Sequence, residues 1–197
     1  HIISETGIGS GIRRIEAVTG KAAEEVIVGQ RSVIQDVSKK LQVAPEKLIG
    51  KLEDLIDNLQ KTSRDFEKLE REVLKQEVAT LPREQIQDMI LICGRLNASS
   101  SELLRESGDW LKNEISNGVI VIGAVLDGRP NMIIMATDSL VEIGFHSGDL
   151  VKEVSHIIGG GGGGRQGMAQ AGGRFPEKLD RVLWEAKERI KTWMNNP

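Results

Sequence analysis

Tyrosine is missing from the 197 residues, and aromatic side chains make up only 3% of them. Any core must therefore be built from Leu, Ile, Val and Ala. The single cysteine, Cys93, excludes an internal disulfide and suits a reducing compartment. No apolar run approaches the roughly 20 residues that cross a bilayer, and the N-terminus lacks the basic, apolar, small-residue order of a secretory signal. Positive charge is not in excess either. With a formal net charge of −3, a polyanionic partner has to be met by a local basic patch. Histidine is scarce, and His1, His146 and His156 have no Cys or second His at metal-ligand spacing. No nucleophile and base, and no carboxylate pair, stands out. The expectation is a soluble, intracellular binding and assembly module, cytoplasmic or in an organelle stroma or matrix, with no membrane partner, no catalytic residue, no cofactor and no metal.

Glycine, in contrast, is abundant, and six of the 22 glycines are consecutive: Gly159, Gly160, Gly161, Gly162, Gly163 and Gly164. A fold that orders such a run bears a high backbone-entropy cost, so that backbone is expected to have a task. Bare amides in tight or left-handed turns form concave donor nests that suit phosphate. Arg165 and Arg174 bracket the stretch with guanidinium groups able to take phosphate oxygens bidentately. Gln166, Met168, Gln170, Gly172 and Gly173 complete the candidate site. A nucleotide-hydrolysing phosphate loop would need Lys-Ser or Lys-Thr where Arg165-Gln166 stands, and a preceding strand where a helix is expected. A β-branched residue at Gly162 is expected to block both close approach and positive φ.

Three segments organise the chain. Residues 1–20 hold two short β-like pieces, around Ile2-Ile3 and Ile12 to Val18, about a Gly/Ser-rich turn. Such a hairpin is too small to keep a core of its own. The pattern turns helical at Lys21, and residues 21–83 form an arm of two antiparallel helices broken near Pro45. In the second helix Leu48, Leu52, Leu55, Leu59, Phe66, Leu69 and Val73 recur in steps of four and three, interrupted by Thr62. This is a coiled-coil seam, assigned to dimerisation. Residues 84–197 alternate: strand at Asp88 to Cys93, helix from Ser100 to Ile115, strand at Gly118 to Leu126, an Asp127-Gly128 turn, and strand at Met132 to Ala136. A helix follows from Ser147 to Ile158, then the glycine run as a loop, then a terminal helix from Pro176 to Met194. The expected fold class is α+β, a long antiparallel helical hairpin followed by a small mixed-sheet domain with flanking helices.

The segment Ser4 to Gly20, SETGIGSGIRRIEAVTG, closely resembles the closing stretch of the editing domain in alanyl-tRNA synthetases. The glycine run with Gly164-Arg165 and Met168-Ala169-Gln170-Ala171-Gly172-Gly173 resembles the C-terminal domain of the same family, and more loosely that of DHH-type phosphoesterases. Both occur in the family's order with a helical arm between them. The resemblance implies a C-terminal region that grips the outer corner of alanine tRNA, helps present its acceptor end for charging and editing, and contributes to a homodimer. It further implies that ATP, magnesium and zinc belong to parts of the parent ligase outside this chain. Gln166-Gly167 departs from the Pro-Asp or Pro-Asn common in the family. The alternative is the nucleic-acid-binding domain of a DHH-type phosphoesterase, which lacks the Ile12 to Gly20 segment.

Overall fold

Asp127 and Gly128 both take positive φ, 48° and 73°, and join two strands, β5 and β6 in chain order, by the tight turn that suits the right-handed twist of a hairpin. β5 (Gly118–Leu126) and β6 (Arg129–Ala136) form the centre of a six-stranded sheet. The computed structural model describes residues 1–195. The chain divides into two units, His1–Asp65 and the remainder from Phe66 onward.

In the first unit, β1 (Ile2–Gly9) and β2 (Ile12–Ala17) pair antiparallel, matching the expected hairpin. Helix α1 (Gly20–Leu41) follows, with Lys39 and Lys40 in its last turn against the negative end of its dipole. Gln42 ends it in the left-handed conformation, φ 55°. Pro45 opens a single turn leading into α2 (Leu48–Thr80), whose 33 residues rise about 50 Å. Among the described residues of this unit only Ser38 is buried, and its hydroxyl has no partner. Val33 on α1 and Leu52, Leu55 and Leu59 on α2 are exposed. Farther along α2, so are Phe66, Leu69 and Val73, whereas Leu48 is half-buried. The assigned seam is thus largely open to solvent.

The second unit holds the core. Strands β3 (Arg83–Ile86) and β4 (Met89–Arg95) precede α3 (Ser101–Glu114). The Ser100 hydroxyl caps α3 by accepting from the Leu103 N–H at 3.2 Å. This helix carries the chain from β4 to the parallel β5. After β6 come the short α4 (Asp138–Glu142) and α5 (Ser147–Val154), then β7 (Gly161–Gly164), β8 (Met168–Gly172) and α6 (Leu179–Asn195). The sheet order is β3-β4-β5-β6-β8-β7, mixed, with β7 at an edge. One face packs Val121 and Ile134 against α5 and α6; the other packs Ile120, Ile122, Ile133 and Met135 against α3 and Leu74 and Val78 of α2. This is the α+β class expected.

The helix expected over Ser147 to Ile158 is α5 plus a tighter turn at Ser155–Ile158, stopped by left-handed Gly159 at φ 68°. Trp193 on α6 is half-buried and meets Phe145 edge-on at 5.1 Å between centroids. No helix among the described residues is long and apolar enough to cross a membrane.

Candidate nucleic-acid interface

The glycine run is a strand, which corrects the expected nest of turns. Gly161 to Gly164 pair antiparallel with β8, Gly161 opposite Gly172 and Gly163 opposite Gln170. Among the run only Gly159 has positive φ, so the positive-φ argument at Gly162 does not hold. Gly162 is small for a different reason. A Cβ there would lie 2.5 Å from the Gln170 carbonyl oxygen and 2.7 Å from Ala171 Cβ, and would collide with Val151 of α5. Gly148 of α5 likewise presses on the Gly164 carbonyl, and its own Cβ would come within 2.8 Å of that oxygen. Glycine on this side lets a helix lie close against the ribbon.

Gly159 and Gly160 lead into the ribbon under similar crowding. The Phe175 ring fills the space a side chain at Gly159 would need, and the Gly172 carbonyl does so at Gly160. Gly173 fits against the Ile158 backbone. The N–H groups of Arg174 and Phe175 both donate to Ile158 O, at 2.8 and 3.0 Å, locking the exit of the ribbon beside its entry.

At the other end the chain turns through Gln166 and Gly167. The Arg165 N–H donates to Met168 O at 2.8 Å. The Gln166 carbonyl accepts from the Ser147 N–H at 2.9 Å, and the Gly167 carbonyl from the Ala136 N–H at 3.0 Å. Main-chain bonds thus hold the turn, without the proline common in the resembled family.

Arg165 and Arg174 do not converge. One hollow is lined by Arg174 with Arg129, Asn131, Gly159, Gly160, Gly172 and Gly173. A second is lined by Arg165 with Arg105, Gly163, Gly164, Met168, Ala169 and Gln170. Arg105 on α3 and Arg129 at the start of β6 are additions that sequence reasoning missed, because tertiary packing alone brings them to the ribbon. Arg129 stood in plain view beside the Asp-Gly turn, a position that places a side chain at the end of a hairpin.

His146 and Cys93 line neither hollow. His146 caps α5, its Nδ1 accepting from the Asp149 N–H at 3.1 Å, which fits a role at the helix dipole. Cys93 is largely buried, and desolvation pushes its thiol up to about 11. Among the described residues no group of three His, Cys, Asp or Glu is arranged to hold a metal ion.

A glycine ribbon at the edge of a mixed sheet, with an arginine-lined hollow near each end, is what sets this domain apart. The chain belongs to the DHHA1 domain family, whose model matches residues 91–192. Its similarity to alanine–tRNA ligases extends well beyond that domain. It is 38% identical to the enzyme of Dehalococcoides mccartyi over 188 residues, covering 94% of this chain and 22% of that protein. To that of Herpetosiphon aurantiacus it is 41% identical over 188 residues, covering 94% and 21%. The chain therefore spans about a fifth of the length of the curated relatives it matches. Among solved structures it is similar to the C-Ala domain from Aquifex aeolicus alanyl-tRNA synthetase, at 26% identity and a TM-score of 0.51, covering 56% of this chain and 99% of that one.

Proposed function

We propose that the chain is the tRNA-gripping and dimerisation region of an alanine–tRNA ligase. The glycine ribbon holds the outer corner of alanine tRNA and so supports charging and editing by domains outside this chain. Those domains would use the ATP, magnesium and zinc of the ligase, and the assembly would act in the cytoplasm. The observation that carries the reading is the ribbon itself, an edge strand with no side chains flanked by Arg165 and Arg174. A folded RNA corner exposes phosphates, ribose hydroxyls and unstacked base faces, which a flat backbone surface can approach closely. The phosphoesterase alternative accounts for the ribbon alone, whereas the likeness to ligases also takes in the hairpin and arm.

The test is binding of an alanine tRNA transcript across a salt series. Arg165→Ala and Arg174→Ala should each weaken binding and lower the slope of log affinity against log salt by about 0.7–0.9. A hairpin copying only the acceptor stem should bind weakly and ignore both changes. The reading fails if that hairpin binds as tightly as whole tRNA, or if both substitutions leave affinity and slope unaltered.

A further inference from the structure

Packing explains the glycines on one side of the ribbon and not on the other. Gly162 and Gly164 meet neighbours that leave no room for a side chain. Gly161 and Gly163 point the opposite way, as alternate residues of a strand do. A Cβ added at either meets nothing within 4 Å, and neither φ is in the left-handed region. Folding thus has no use for glycine at these two positions, where it weakens a strand. Such a residue is expected where something from outside approaches the backbone.

The register identifies that open side. Gly163 is opposite Gln170, which is opposite Ile133 on β6, and Ile133 packs in the core beneath α3. Gly161 is opposite Gly172, which is opposite Asn131, so this row faces the same way. Arg129, two residues before Asn131 on β6, shares that face. The open side is therefore the α3 side of the sheet, and both hollows border it. Arg105, Arg129, Arg165 and Arg174 are exposed, and none has a carboxylate partner among the described residues.

We propose that this α3-side face is the RNA-contact face and takes a looped or single-stranded stretch laid across β8 and β7. One phosphate sits at Arg105 and Arg165, another at Arg129 and Arg174. Between them a ribose or an unstacked base rests on Gly161 and Gly163 beside Gln170. The ligand class follows from the spacing. Strand β8 rises about 3.3 Å per residue, which sets the hollows at its ends on the order of 13 Å apart. Two phosphates that far apart belong to different nucleotides of one strand, so a mononucleotide cannot reach both arginine pairs. The inference rests on the RNA-binding reading above and adds to it a face, two arginines and a ligand longer than one nucleotide.

The experiment titrates the whole 197-residue chain against fluorescent alanine tRNA at several salt concentrations, with thermal midpoints measured alongside. Arg105→Ala and Arg129→Ala should each lower the salt slope by about 0.7. Gly163→Ala, with Gly161→Ala as its companion, should weaken binding about tenfold, because a methyl would stand between ligand and backbone. Both should keep an equal or higher midpoint, since the position is unstrained. Adenosine monophosphate should not displace the tRNA. The inference is overturned if both glycine variants bind as tightly as the parent, or if the nucleotide competes. It is overturned, with the RNA-binding function left standing, if Arg165→Ala and Arg174→Ala lower the slope while Arg105→Ala and Arg129→Ala do not. If none of the four arginines matters, the function itself is wrong.

Discussion

Replacing Gly162 by alanine adds one methyl group where three neighbours already stand. Its Cβ would lie 2.5 Å from the Gln170 carbonyl oxygen and 2.7 Å from Ala171 Cβ, with Val151 closer still. Ordinary contact begins at about 3.5 Å, so ribbon or helix must move by about an ångström. Overpacking of this kind costs about 1–3 kcal/mol, against which the lower entropy of the unfolded alanine chain returns about 0.4–1 kcal/mol. The expected net loss is about 1–2 kcal/mol, or roughly 3–6 °C in thermal midpoint for a chain of this size. Val151→Ala separates the contributions. Alone it removes two methyl groups from the buried face of α5 and should cost about 1.5–2.5 kcal/mol. In its background Gly162→Ala should cost about 0.5–1 kcal/mol less, because one of the three collisions is gone while the two with β8 remain. Thermal and urea denaturation of the four proteins completes the cycle. Wild-type stability for Gly162→Ala, or strict additivity with Val151→Ala, would refute the idea that α5 presses on the ribbon through this glycine.

Three further outcomes can be checked. Desolvation holds the Cys93 thiol up at about 11, so it should resist a thiol reagent at pH 8 and react promptly in denaturant; rapid native-state labelling would contradict its burial. Hydrogen bonds from Lys187 and then Lys191 hold the Glu84 carboxyl below its usual range, tying the edge strand β3 to α6. Because the folded value is depressed, the stabilisation is present above the unfolded value of about 4.3 and is lost as pH falls through the folded one. Glu84→Gln should therefore cost about 0.5 kcal/mol at pH 7, a small figure for an exposed site, and nothing in acid; a pH-independent cost would point elsewhere. If the seam on α2 joins two copies, replacing Leu55 and Phe66 together by Asp should shift sedimentation from dimer to monomer with the sheet domain still folded. A parent chain already monomeric at high concentration would remove the seam from dimerisation.

Side-chain periodicity made much of this fold legible. The Asp127-Gly128 turn, the apolar β5 and the amphipathic α3 and α6 each bear a pattern tied to one conformation. The strand character of β7 was invisible for the converse reason, since four glycines have neither alternation nor β-propensity. Its partner β8 has five small or flexible residues and is recognisable only once β6 is beside it. The polar edge strand β3 and the five-residue α4 are too short for any period to emerge. At the candidate interface, the glycines and the two flanking arginines were evident because they are neighbours in sequence. Arg105 and Arg129 were not, since α3 and the β5–β6 turn are brought there only by the completed sheet.

The turn after Arg165 has a bearing on how such domains are looked for. Its anchors are the carbonyls of Gln166 and Gly167, which every amino acid possesses, and a Cβ at position 167 would meet nothing nearer than 3.8 Å. The physical requirement is for two correctly aimed main-chain oxygens, and the letters at those positions are free to drift. A search pattern that demands proline there would pass over chains that fold as this one does. One that specifies the packed glycines, the arginine before the turn and the small residues of the returning strand would retain them.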